Sequence, residues 1–336
     1  MPSSEMSLAQ HIRTLGRGPS FARNLTRQEA AEAMAEILSG RAAPEATGAL
    51  LMLMRYHGEN AAEIAGFVDA FSDSLSHWQT VDVGLDWPTY AAGRSRGLPW
   101  FLLSAKLVAM AGVPVLLHGW NSHQNPVASV TEALQNLNIK QVKTPDEAQQ
   151  QLVQTGIAYL PLADLSPKAL ELLQLRDVLG LRSAINTTLR MLNPCLASAS
   201  VQGVFHPSYR LLQADTGCLL GQKNLSVIKG GGGEFERIPG KPLPVFGLRD
   251  LTPFEETASP ISDETGRLAD ISSEPENLSG LWDGSWSNSY AEAVVIGTAA
   301  LALHTVGLAD SFAKAESLAQ SIWEKRLNSA PKRRIA

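Results

Sequence analysis

The sequence has 336 residues, of which 44% are hydrophobic and 18% are charged, and its formal net charge is −5. This length allows two domains with a sizeable core, and the composition is that of a globular protein. Two cysteines make no disulfide framework, no apolar run approaches the roughly 18 residues of a membrane-spanning helix, and the opening MPSSEMSLAQHIR lacks the apolar segment of a signal peptide. We therefore expect a cytoplasmic protein that contacts no membrane.

The first 76 residues predict a set of helical hairpins. In NLTRQEAAEAMAEILSG, Thr26 is a suitable N-cap, Glu29 follows three residues later, and Gly40 ends the segment. The segments APEATGALLMLMRYHG and NAAEIAGFVDAFSDSL repeat the amphipathic pattern. This part of the chain is therefore predicted to be all-α.

From about residue 80 onward, short apolar segments alternate with helical ones. GVPVLLHG, GIAYLPL and LSVIKGG are typical of buried strands, and SYAEAVVIGTAALALHTVG and LADSFAKAESLAQSIWEKRL predict two closing helices. Such alternation indicates a mostly parallel sheet with helices on its faces. The predicted fold class is α/β, with a small all-α N-terminal domain and a larger α/β domain.

The charges are unevenly distributed along the chain. Residues 11–27 carry arginines and no acid, residues 182–241 are also predominantly basic, and residues 250–283 are predominantly acidic. A modestly acidic total can hide a basic face that an anionic partner would meet. The alternative is that these charges are scattered over solvated surfaces.

The segment LRDVLGLRSAINTTLRMLNP carries the strongest functional pattern. Arg176, Arg182 and Arg190 occur together with Asn186 and Asn193. Arginine binds phosphate through two parallel hydrogen bonds, so this group is suited to a phosphate or a nucleic-acid backbone. The segment AAGRSRG adds Arg94 and Arg96 on a glycine-containing loop, which is an anion site in outline.

His118 ends the probable strand GVPVLLHG. Ligands of open α/β sheets collect at the carboxyl ends of the strands, so His118 is either a site residue or a structural histidine.

The run of four glycines in VIKGGGGEFER has two interpretations. It is typical either of a mobile loop or of a loop whose N–H groups approach a phosphate. It matches neither the P-loop pattern nor the dinucleotide-binding pattern.

Taken together, these segments resemble the anthranilate phosphoribosyltransferase family. Residues 24–70 resemble its N-terminal helical domain, and GVPVLLHG, LRSAINTTLRMLNP and the closing helices continue the likeness over nearly the whole chain. The resemblance implies a homodimer with a phosphoribosyltransferase/nucleoside phosphorylase-like fold. It also implies the domain bounds: residues 1–76, completed by about 166–192, for the helical domain, and residues 77–165 and 193–336 for the α/β domain.

The resemblance further implies magnesium-dependent transfer of ribose 5-phosphate from phosphoribosyl pyrophosphate to anthranilate or another aromatic acceptor. Several of the family's substrate-contacting segments differ here. Its Gly-Thr-Gly-Gly-Asp loop is AAGRSRG, the lysine of Lys-His-Gly-Asn-Arg is replaced by Leu117, and the two acids that help hold magnesium are reduced to Glu234. If the chain is an enzyme, Glu234 would hold magnesium and the phosphoribosyl pyrophosphate contacts would come from Gly93, His118, Gly119, Asn121 and Arg176.

These departures are similar to the YbiB-like branch of the family, whose members are regarded as nucleic-acid-binding. LGRGPSFARNLTR, AGRSR, LLHG and KGGGGE carry the similarity. We therefore expect a homodimer that binds DNA or RNA without sequence preference and needs no cofactor, with the magnesium-dependent enzyme as the alternative. Trp282 and Trp286 would either fill the core or stack on bases. The expected phosphate contacts are Arg17, Arg23, Arg27, Arg94, Arg96, Arg182 and Arg190.

Overall fold

The chain starts with helices and continues into a sheet covered by further helices. The computed structural model describes residues 8–18, 20–90, 97–120, 129–264, 266–267, 271–272 and 274–328. The α-helices of this part of the chain are α1 (Leu8–Gly16), α2 (Arg27–Leu38), α3 (Pro44–His57), α4 (Ala61–Ser74), α5 (Phe101–Met110), α6 (Val130–Asn136), α7 (Pro145–Thr155), α8 (Leu162–Leu165), α9 (Pro167–Leu179), α10 (Ile185–Met191), α11 (Tyr209–Leu219), α12 (Glu276–Asp283), α13 (Ser289–Val306) and α14 (Phe312–Lys325).

The predicted N-cap of α2 is confirmed. The Thr26 side chain accepts a hydrogen bond from the Glu29 N–H, and the Glu29 carboxylate accepts one from the Thr26 N–H, which completes a capping box. Asn60 and Glu63 form the same arrangement at the start of α4. A hydrogen bond from Arg23 lowers the pKa of Glu29 to about 2. Two N–H groups that a helix leaves unpaired at its start are thus satisfied at each of these helices.

Seven strands form one sheet. They are β1 (Leu85–Thr89), β2 (Val115–Gly119), β3 (Ile157–Pro161), β4 (Ala199–Val204), β5 (Asn224–Lys229), β6 (Leu243–Arg249) and β7 (Thr252–Ala258). Their order is β3-β2-β1-β4-β5-β6-β7, with parallel pairing from β3 to β5 and antiparallel pairing from β5 to β7. The mostly parallel sheet predicted from the apolar segments is confirmed.

Two large hydrophobic clusters hold the molecule together. One contains the apolar faces of α1 to α4, the helices α7 to α10, and residues of β2 and β3 that face them. The other packs α5, α13 and α14 against the sheet. The chain is therefore a helical part followed by a larger α/β part, as predicted from the sequence. The residue bounds of the two domains stay a prediction.

Helix α13 is the central helix of the α/β part. Among the described residues it is the one helix long and apolar enough to cross a membrane, but most of it is buried against α5, α14 and the sheet. Its apolar composition is accounted for by this packing, because a helix that is hydrophobic all round belongs in a core.

Candidate functional site

The carboxyl ends of the parallel strands define the edge of the sheet where a site is expected. Strand β1 lies between β2 and β4, so the strand order reverses around β1. Open α/β sheets bind ligands at such a switch point. A cavity of about 260 Å³ opens here, between the end of β4, the loop from α9 to α10, and α3.

Arg190 is buried at the inner wall of this cavity. It lies on α10, is 8% exposed, and its Nη2 donates a hydrogen bond to the Tyr90 carbonyl oxygen at 2.8 Å. A Cβ atom on Gly233 would lie 3.6 Å from the same Nη2. Burial lowers the pKa of Arg190, whereas the nearby Glu234 carboxylate acts in the opposite direction. The guanidinium therefore joins the end of β1 to the glycine run that follows β5.

Arg182 lies at the outer wall of the cavity and is half-buried. Burial lowers the pKa of its guanidinium, and the positive charges of Arg176 and Arg55 lower it further. Arg176 is in contact with the exposed Asp177, with Nε and Oδ1 3.3 Å apart. The partly buried guanidinium of Arg182 thus lies near those of Arg176 and Arg55. A bound anion would stabilise this group of positive charges.

The remaining wall of the cavity is aromatic and apolar. Phe205 and Leu181 line it with exposures of 45% and 54%. Tyr209 accepts a hydrogen bond from Arg55 at 3.3 Å and donates one to Glu59 at 3.1 Å. Cavities that pair apolar walls with a few fixed polar groups are typical of small-molecule sites.

His118 lies in a buried polar network rather than on the cavity wall. Its side chain is 0% exposed, with Nε2 3.1 Å from an Asp86 oxygen and Nδ1 3.0 Å from the Tyr90 hydroxyl. Ser200 donates a hydrogen bond to the second Asp86 oxygen at 2.9 Å. Of the two interpretations left open by the sequence, this network supports the structural one, in which His118 ties β1 to β2.

Gly119 follows His118 where β2 passes close to β1. A Cβ atom at this position would lie 1.9 Å from the Thr89 carbonyl oxygen, so only glycine allows the two strand ends to come together.

The glycine run forms a tight turn whose N–H groups bond to the protein. Gly231–Gly233 make one turn of 3₁₀ helix, and Gly233 has a φ of 91°. The Gly230 N–H donates to Val204 at 3.2 Å and the Gly231 N–H donates to Glu236 at 3.0 Å. Glycine is required at Gly230, where a Cβ atom would lie 1.6 Å from the Glu234 carbonyl oxygen, and the phosphate-binding interpretation of the turn stays a prediction.

The structure places the other predicted residues in different settings. Arg17 is exposed beyond α1, Arg23 pairs with Glu29 at 2.7 Å, and Arg27 pairs with Asp69 at 2.6 Å. Only Arg176, Arg182 and Arg190 of the predicted arginines lie together in the described part of the chain. The predicted site residues Gly93, Arg94, Arg96 and Asn121 lie outside the described residues.

Trp282 and Trp286, which the sequence assigned either to the core or to base stacking, pack against the core. Trp286 stacks on Trp100 with ring centroids 6.0 Å apart, and Trp282 meets Trp323 edge to face at 6.2 Å. The core interpretation therefore fits both of them.

Comparisons with known proteins point to the same family, and they match different lengths of the chain. Residues 9–75 match the helical bundle domain of a glycosyl transferase family. An anthranilate phosphoribosyltransferase of Geobacillus stearothermophilus is 29% identical over 307 residues, which is 88% of this chain and 89% of that protein. An uncharacterised protein of Aquifex aeolicus is 27% identical over 236 residues, or 70% and 72% of the two chains. The chain is thus similar to anthranilate phosphoribosyltransferases over most of its length.

Solved members of the anthranilate phosphoribosyltransferase family share the fold. The enzyme from Thermus thermophilus superposes with a TM-score of 0.78 at 21% identity, covering 95% of each chain. The Saccharomyces cerevisiae enzyme, in complex with phosphoribosyl pyrophosphate and magnesium, gives 0.75 at 16% identity over 95% of this chain and 94% of that one.

The described residues do not fit the magnesium site that this family implies. Glu234 is 1% exposed and interacts with the positive charge of the Arg190 guanidinium. Among the residues that the structure describes, no three His, Cys, Asp or Glu side chains are grouped to hold a metal ion. Magnesium prefers several oxygen ligands including water, and a buried carboxylate next to a guanidinium does not provide them.

Sequence analysis missed three residues that shape the site. Arg55 in the last turn of α3 lies in the cavity wall, and Asp86 and Tyr90 fix His118. Asp86 had a signal, because an acid inside the apolar strand segment LDWPT must have a buried partner. Arg55 had none, since its neighbours come from α9 and α11, which are distant in sequence.

Proposed function

We propose that this chain is a phosphoribosyltransferase-type protein that binds phosphoribosyl pyrophosphate and an aromatic acid, anthranilate or a similar acceptor, at the cavity beside β4. The observation that carries the proposal is the half-buried Arg182, which faces the cavity beside Arg55 and Arg176. A guanidinium binds a carboxylate through two parallel hydrogen bonds. The curated relative from Geobacillus stearothermophilus is named as an anthranilate phosphoribosyltransferase, which supports this assignment.

The aromatic and apolar lining of the cavity suits the ring of such an acceptor. Phe205 can pack against an aromatic ring while Arg182 binds its carboxylate, so one ligand would use both parts of the cavity. Catalysis of ribosyl transfer rests mainly on holding donor and acceptor in line and on stabilising charge. The contribution of Arg182 would be to orient the acceptor.

Thermal unfolding and turnover test this function together. We expect phosphoribosyl pyrophosphate and anthranilate each to raise Tm, because a ligand present at about 100 times its Kd stabilises the folded state by about 2.7 kcal/mol. Arg182→Met should weaken anthranilate binding about tenfold or more, whereas Arg41→Met, at an exposed position outside the cavity, should leave it unchanged. If neither ligand shifts Tm and no phosphoribosylated product forms, the proposed function is wrong.

DNA or RNA binding by a homodimer is the second candidate function. The same observation favours it, because phosphates of a nucleic-acid backbone would also be bound by the converging guanidiniums of Arg55, Arg176 and Arg182. We expect the logarithm of such a binding constant to fall with the logarithm of salt concentration by roughly 0.9 per neutralised phosphate. Titration of labelled single- and double-stranded DNA, with Arg94→Ala/Arg96→Ala beside the unchanged protein, measures this slope. Binding that is absent at low salt, or insensitive to salt, would exclude it.

A further inference from the structure

Among the guanidiniums that the structure describes, Arg190 is the one that contacts three parts of the site. Its Nη2 bonds the Tyr90 carbonyl at the end of β1, and the same atom lies against Gly233 after β5. Its side chain also lines the cavity next to the end of β4. Arg190 is thus placed where the loops that follow three parallel strands meet.

A guanidinium buried this deeply needs nearby negative charge or strong acceptors. Glu234 supplies one negative charge, but Arg182 adds a second positive charge on the cavity side. One of the five N–H groups of Arg190 donates to Tyr90, and the guanidinium keeps a planar fork suited to phosphate oxygens. With Arg55 and Glu59, which line the same cavity, three guanidiniums stand against two carboxylates, so the cavity presents excess positive charge.

We propose that Arg190 is the resident cation of this site and that its guanidinium binds the pyrophosphate group of an anionic ligand without a divalent metal. The inference rests on the proposed function, since it assigns how that site would hold the diphosphate of its donor. It also accounts for the poor fit of a magnesium ion, because the position beside Glu234 is taken by a charge that belongs to the protein. The planar guanidinium of Arg190, with its N–H donors, would take the place of the magnesium ion.

Calorimetric titration with inorganic pyrophosphate at constant ionic strength, in EDTA and then in excess magnesium, tests the inference. We expect binding in EDTA that magnesium does not strengthen. Arg190→Met, which keeps much of the side-chain volume but no charge, should weaken binding in EDTA at least tenfold. Arg190→Lys keeps the charge without the fork and should give an intermediate affinity. Arg41→Met is the matched control and should bind as the unchanged protein does.

Each outcome either supports or overturns the inference. Pyrophosphate binding that requires magnesium, that is absent in both buffers, or that survives Arg190→Met would overturn it. If Arg190→Met does not fold, as judged by circular dichroism, the comparison of EDTA with magnesium and the Arg190→Lys affinity decide the question. Magnesium-free pyrophosphate binding, with no product and no Tm shift from phosphoribosyl pyrophosphate or anthranilate, would contradict the proposed function alone. Magnesium-dependent turnover would contradict the inference alone.

Discussion

Gly230→Ala is expected to lower the free energy of unfolding more than any other glycine-to-alanine substitution in the site. A Cβ atom at Gly230 would lie 1.6 Å from the Glu234 carbonyl oxygen, and the Glu236 backbone nitrogen would be 3.1 Å away. These neighbours are backbone atoms of the same tight turn, so they cannot move aside as a flexible side chain would. We expect the free energy of unfolding, measured by denaturant titration, to fall by about 4 kcal/mol or more.

The control for this prediction is Gly221→Ala. Gly221 also has a positive φ, of 68°, but nothing lies within 4 Å of the position of its Cβ. That change should cost only roughly 1 kcal/mol, the penalty of a left-handed backbone for an ordinary residue. If the two variants lost similar amounts, the close contact at Gly230 would not be what requires glycine there.

Gly230→Ala also tests whether the glycine turn positions Arg190 in the anion site. The turn places Gly233 against Arg190, so a distorted turn should displace the Arg190 guanidinium. A variant that still folds is therefore expected to bind pyrophosphate more weakly than the Gly221→Ala control. This follows because the position of Arg190 depends on the backbone it packs against as well as on α10.

The elements of the fold were predictable because each has a local cause. The Thr26 and Glu29 pair specifies the start of α2, and the apolar segment GVPVLLHG specifies a buried strand ending at Gly119. Such signals depend on spacing within a few residues. The order of the strands was not predictable in this way, because it is decided by contacts between segments far apart in the chain.

The candidate site was predictable only in part, for the same reason. The segment containing Arg182 and Arg190 stood out as cationic, but their burial depends on Arg55, Tyr90 and the glycine turn, which come from other regions. Arg23 has a local partner in the capping-box residue Glu29, and its expected contact with phosphate stays a prediction.

Arg237 is expected to be the side chain on which the segment after the glycine turn depends most. It is 0% exposed, its Nη1 is 2.8 Å from a Glu316 oxygen on α14, and its Nη2 donates to the Ser259 carbonyl. Its aliphatic part packs on Gly297 of α13, where a Cβ would lie 3.0 Å from Arg237 Cδ. One side chain therefore fastens residues 230–237 to both closing helices.

We expect Arg237→Met to lower the free energy of unfolding by about 3 to 5 kcal/mol, because the Ser259 carbonyl and the Glu316 carboxylate both lose their donor. Lys314→Met is the control, since Lys314 at the start of α14 makes its ion pair with Asp310 at the surface, where the two side chains are 69% and 71% exposed. A pair exposed to this degree contributes little to the free energy of unfolding. Equal losses of unfolding free energy in the two variants would contradict the anchoring role of Arg237. A large loss confined to Arg237→Met would support the conclusion that α13 and α14 stabilise the segment after the glycine turn through this side chain.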